Sequence, residues 1–116
     1  MVRSLVLGFV ILACAVFIGY ATSTRRAPDA PLERIAFGSC NKQYAEQPLW
    51  RPIRDHNPDL WIWLGDNIYG DTEDMTTLAA RYQQQLRNPG YTALRAEVPV
   101  IGTWDDHDYG ANDAGR

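Results

Sequence analysis

The sequence predicts an α/β fold on a parallel sheet, in the order β-α-β-α-β. Two observations carry that prediction. Short apolar runs alternate with segments of helical periodicity, and each run breaks at glycine and polar residues. Strands joined through helices run parallel, because the crossover returns the chain to the same end of the sheet. At 116 residues, 46% hydrophobic and 22% charged, the chain has the composition of one small folded domain, not of a disordered segment.

The first apolar run, residues 32–37, breaks at Gly38-Ser39-Cys40. Leu49, Trp50 and Ile53 then fall at helical spacing, and Pro48 and Pro52 confine that helix to a short one ended by Asn57-Pro58. Residues 59–64 are apolar on both faces, the pattern of a strand covered on both sides, and break at Gly65-Asp66. Met75, Leu78, Ala79, Tyr82 and Leu86 form one helical stripe. Asp71, Thr72, Glu73 and Asp74 supply its cap candidates, and Asn88-Pro89-Gly90 ends it. A second short helix over residues 91–97 leads into a third strand over residues 98–104.

The leading segment, residues 1–24, has a different character. Arg3 precedes an apolar run over residues 5–20, and Ala21, Thr22, Ser23 and Thr24 follow, the order of an export signal. The run is also close to the roughly 17–25 residues that span a bilayer, so an uncleaved amino-terminal apolar helix acting as membrane anchor fits as well. Lipid modification at Cys14 fits less well, because the apolar run continues past it to Tyr20. Both main readings put the rest of the chain outside the cytoplasm, exported to the periplasm or beyond, or anchored facing outward. Residues 25–31, with two prolines, read as a linker, and residues 32–116 as the folded part.

Charge and cysteines narrow the chemistry. A net charge of −3 gives no basic footprint, so nucleic-acid binding has no electrostatic support. A mildly acidic chain acting on an anionic substrate needs local positive charge, which bound metal ions supply. Of the two cysteines, Cys14 lies in the leading segment, leaving Cys40 without a partner. Either Cys40 is an inert thiol, or it is held as a thiolate on a metal.

The most informative feature is positional. Each strand runs directly into candidate ligands: Cys40, then Asp66 through Asp71, then Asp105 through Asp108. Parallel strands bring these clusters to one edge, where open α/β sheets bind ligands. Asp66, Tyr69 and Asp71 offer carboxylate and phenol oxygens to a hard divalent or trivalent ion, and a thiolate can complete a mixed set. Asp105, Asp106 and Asp108 around His107 repel one another unless a cation is present. The bland reading of each cluster is a solvated polar turn. A helix-loop-helix calcium site is excluded, since the ligand spacing and closing glutamate are missing. His56 reads as solvent-exposed, and the tryptophans are weak functional signals. Trp61 and Trp63 read as strand core and Trp50 as a helix–sheet contact, while Trp104, next to the acidic cluster, is the one best placed to line a pocket.

Three segments together, I-A-F-G-S-C-N-K (35–42), P-D-L-W-I-W-L-G-D-N-I-Y-G-D-T (58–72) and P-V-I-G-T-W-D-D-H-D-Y-G-A-N-D (99–113), resemble the alkaline phosphatase D type of metallophosphoesterases. The likeness runs from about Glu33 to the end of the chain. It implies an α/β sandwich around a multi-metal centre, usually iron(III) with calcium and open to other divalent metals, that hydrolyses phosphate mono- and diesters. Carried across, Cys40 and Tyr69 would ligate iron and Asp66 would bridge the metals. Asp106 would stand where the wider superfamily has a metal-binding asparagine. His107 would lie over the substrate phosphate, stabilising charge or protonating the leaving group, with Asp105 supporting it. Asp71 and Asn112 match family positions to which the likeness attaches no role.

The same resemblance implies further aspartate and histidine ligands from later loops, and the chain stops at Arg116. The expectation is therefore an amino-terminal piece of such an enzyme, a half-sheet with its edges and one face uncovered, unstable and with little activity alone. Two other readings stay open: a non-catalytic metal-binding envelope protein using Cys40, Asp66 and Asp106, and a membrane-tethered interaction module whose acidic loops meet a partner.

Overall fold

The structure, a computed structural model, describes residues 30–115. The apolar segment 1–24, Cys14 and most of the linker lie outside the described residues. Among the described residues, no helix is long and apolar enough to cross a membrane.

The fold is a small α/β domain with a three-stranded parallel sheet in the order β1-β2-β3. The strands are β1 (Ile35–Gly38), β2 (Leu60–Leu64) and β3 (Val100–Thr103). The helices are α1 (Trp50–Asp55), α2 (Met75–Leu86), α3 (Pro89–Glu97) and the single turn α4 (Asp106–Tyr109). Ile35 pairs with Leu60 and Gly38 with Trp63; Trp61 pairs with Val100 and Leu64 with Thr103.

Local chemistry explains where elements begin. β1 starts later than the apolar run because the Asp59 carboxylate accepts the Glu33 and Arg34 amides at 2.8 and 2.9 Å, taking them out of the ladder. The α2 helix starts at Asp74, whose side chain accepts the Thr77 amide at 2.7 Å. Asn88 caps α3 in the same way, with Pro89 in the first turn, where a missing N–H costs nothing. Asn88-Pro89-Gly90 thus ends one helix and starts the next.

The core lies on one face of the sheet. Trp50 from α1 meets Trp61 and Trp63 edge-on, with ring centroids 5.3 and 5.7 Å away, and Tyr91, Leu94 and Val98 close the cluster. Such aromatic pairs add about 0.5–1.5 kcal/mol each beyond the area they bury. The buried Trp63 indole donates to the Tyr91 hydroxyl at 3.0 Å. On the opposite face Ile35, Phe37, Leu64 and Ile101 are exposed. The expectation of a β2 covered on both sides therefore holds on one side only among the described residues.

The α2 stripe is also displaced. Met75 and Ala79 are exposed, and the buried positions are Leu78 and Gln85. Gln85 can be buried because its amide oxygen accepts from Asn41 and Gln47.

Candidate metal centre

All three strands end at one edge of the sheet, and their loops are laced together. Asn41 N–H donates to the Asp66 carbonyl at 2.8 Å and its side chain to the Asn67 carbonyl at 3.0 Å. Gly70 N–H donates to the His107 carbonyl at 3.0 Å, and Thr72 N–H to the Gly110 carbonyl at 3.2 Å. Gly65, at φ +98°, lets β2 turn against the third loop; a Cβ there would stand 2.8 Å from Asp105 Cβ.

This lacing collects the predicted residues. Asp66, Asp106 and His107 each offer one ligand atom, and those atoms lie within 4.8 Å of one another. The Cys40 thiol donates to Asp66 Oδ2 at 3.6 Å, and the Tyr69 hydroxyl donates to the same oxygen at 3.3 Å. The other oxygen, Asp66 Oδ1, is buried with no hydrogen-bond partner among the described residues. A buried, unpaired carboxylate oxygen is costly, and a cation satisfies it. Two carboxylates and an imidazole, with a phenol and a thiol beside them, form a donor set that fits a divalent or trivalent ion without choosing among metals.

The backbone is strained at the same place. Cys40 and Asp66, the two residues at the ends of β1 and β2, have φ of 56° and 50°, and Asp71 has φ of 48°. Asparagine and aspartate tolerate this conformation better than other L-residues, so Cys40 is the outlier of the three, and such outliers concentrate at functional sites.

His107 is held firmly. Its Nδ1 lies 2.5 Å from Asp71 Oδ1, which leaves Nε2 as the ring's free ligand or proton-transfer atom. The ring also lies against Tyr69, centroids 4.4 Å apart. Burial pushes the imidazole down, but Asp71, with Asp66 and Asp106 behind it, outweighs burial and raises it above 6.5. Burial, then the Cys40 and Asp66 neighbours, pushes the Tyr69 phenol far up. The Asp113 amide, which donates to Asp106, holds that carboxyl below its usual range.

The comparisons with known proteins return nothing. No protein-family model, no curated protein and no solved structure matches the chain. The reading of this site therefore stands on its residues.

The structure separates the acids of the third cluster. Asp105 caps α4, accepting the Asp106 amide at 2.9 Å, and Asp108 reaches back to the Asp105 amide at 3.0 Å. Backbone amides thus engage all three carboxylates expected to repel one another: those of Asp105 and Asp108 within the cap of α4, and that of Asp106 through the Asp113 amide, beside His107. The D-x-x-D spacing of a capping box carried this signal. Trp104 is 71% exposed. His56 is exposed at the α1 terminus, as expected. Asp71 gains a partner in His107, and Gln43, which sequence reasoning passed over, holds the Tyr69 backbone; a glutamine in a loop gives no periodic or spacing signal.

Proposed function

We propose that the chain supplies one side of a metal centre that hydrolyses phosphate mono- or diesters, in part of a metallophosphoesterase α/β sandwich of the alkaline phosphatase D type. The observation that carries this reading is Asp66: a carboxylate just past a strand end, one oxygen buried and unpaired among the described residues, clustered with Asp106 and His107. The three quoted segments, read in order, point the same way.

In this reading Asp66, Asp106, Cys40 and Tyr69 would hold the ions, iron(III) and calcium or other divalent metals. Metal ions there would supply positive charge to phosphate oxygens and lower the pKa of a water for in-line attack. The chain's own part is orientation and proton handling. Asp71 fixes the His107 ring through Nδ1, so that Nε2 is set to steady charge on the phosphate or give a proton to the leaving oxygen. Asp105 acts through α4, holding the turn on which Asp106 and His107 sit. The apolar segment 5–20 would carry the site outside the cytoplasm.

The test is calorimetric titration of the chain with manganese(II) and with iron(III) citrate, alongside hydrolysis of p-nitrophenyl phosphate and its bis-ester. The reading expects binding that Asp66→Asn abolishes, and from this chain alone only weak hydrolysis, which His107→Ala abolishes. Binding unaffected by Asp66→Asn would sink it. Binding with no trace of hydrolysis favours the second reading, a non-catalytic metal-binding protein, which the cluster of three ligating groups among the described residues also supports.

A further inference from the structure

We infer that Gln43 is a positioning residue for Tyr69, clamping its peptide so that the phenol is set against Cys40 and Asp66. The inference rests on the metal-centre reading and deepens it. Gln43 is 5% exposed, and both ends of its amide are used on one residue. Nε2 donates to the Tyr69 carbonyl at 2.9 Å, and Oε1 accepts the Tyr69 N–H at 2.8 Å. A primary amide used in this way reproduces a rung of a β-ladder and satisfies both backbone groups of its partner.

The clamp completes a ladder between two loops. Asn41 holds Asp66 and Asn67, and Gln43, two residues on, holds Tyr69. The loop that carries Cys40 is thereby laid rung by rung along the loop that carries Asp66 and Tyr69. With its peptide fixed at both N–H and C=O, Tyr69 has only its own side-chain torsions left, and its hydroxyl sits 3.3 Å from Asp66 Oδ2. Both polar ends of the Gln43 amide are spent on the Tyr69 backbone, so Gln43 acts through Tyr69.

The test adds iron(III) citrate to the purified chain and records visible absorption, because a tyrosinate bound to iron(III) gives a charge-transfer band. Wild type should develop the band and Tyr69→Phe should lack it. Gln43→Ala should still take up iron through Asp66, Asp106 and Cys40 but lose or displace the band. Gln43→Glu keeps the acceptor for the Tyr69 N–H and should retain part of the band; it carries the test if Gln43→Ala does not fold. In the metal-free chain, Gln43→Ala should also speed hydrogen exchange at the Tyr69 amide relative to that of Leu94. A wild-type band and exchange rate in Gln43→Ala overturns the inference and leaves the metal reading intact. Wild-type iron uptake without a tyrosinate band overturns the inference and removes Tyr69 from the proposed ligands. Loss of all iron in a Gln43→Ala chain that melts like wild type also overturns the inference. If wild type takes up no iron, the metal reading falls and this inference falls with it.

Discussion

His107 and Asp71 face each other across two loops, with Nδ1 and Oδ1 2.5 Å apart. One residue follows β2 and the other follows β3, so the pair exists only because the sheet is parallel and both strands end at the same edge. The backbone reinforces it, since Gly70, adjacent to Asp71, donates its N–H to the His107 carbonyl. The imidazole is thus held from both its ring and its peptide. Its tautomer is set as well, with the proton on Nδ1 toward the carboxylate.

That pairing predicts a pH signature in the metal-free chain. Against the opposing effect of burial, Asp71 raises the His107 pKa above 6.5, so Asp71→Asn should lower it. A raised folded-state value stabilises the fold fully below 6.5, and the stabilisation is lost as pH rises through the folded value. The melting temperature of wild type should therefore fall across that window, and Asp71→Asn should flatten the fall. Imidazole proton NMR and thermal melts measure both. An unchanged His107 midpoint in Asp71→Asn would show that the contact carries no charge.

Asp108 predicts a stability effect with no metal involved. It is 1% exposed and accepts the Ile68 amide at 3.1 Å and the Asp105 amide at 3.0 Å. Asp108→Ala leaves these donors without their acceptor, at a cost of about 1–3 kcal/mol. Asp108→Asn should also destabilise, because one of its two positions then presents N–H to N–H. Urea unfolding of the three proteins checks this. Burial pushes the Asp108 carboxyl above 3.8, so its own contribution to stability declines as pH rises from 3.8 to the folded value.

Asp74 has the opposite sign. The Thr77 hydroxyl and amide hold its carboxyl below 3.8. The stabilisation is therefore present above 3.8 and lost as pH falls through the folded value. Asp74→Ala should melt below wild type at neutral pH, and the two curves should converge in acid. Parallel melting curves at every pH would mean that the cap does not act through its charge.

Much of this arrangement was legible in the sequence, and the exceptions have physical causes. Strand ends are marked by Gly38 and Gly65, and polar residues pile up where the strands stop; a parallel sheet then forces Cys40, Asp66 and Asp106 to one edge. What periodicity could not show was which acids face the site. Asp105, Asp106 and Asp108 are indistinguishable as letters, yet capping geometry turns two of them to backbone amides. Burial of Gln85 was equally hidden, because it depends on Asn41 and Gln47 arriving from a distant loop. Met75 shows the converse: its spacing places it on the stripe, but at the first turn of α2 it stays 60% exposed.

Gly70 gives the sharpest test of how the loops support the site. A Cβ there would overlap Leu78 Cδ1 and stand 2.9 Å from the His107 carbonyl oxygen. The leucine tip can move aside. The carbonyl is backbone, and shifting it breaks the Gly70–His107 hydrogen bond and moves His107 away from Asp71. Gly70→Ala should cost about 1–3 kcal/mol, as overpacking does, and also weaken manganese(II) binding in the folded protein. Gly102→Ala is the control, since its Cβ would stand 2.8 Å from the Trp63 carbonyl, in the body of the sheet. It should destabilise comparably while leaving the affinity of the folded fraction unchanged. If both variants weaken metal binding equally, the site responds to global stability and not to the Gly70 contact.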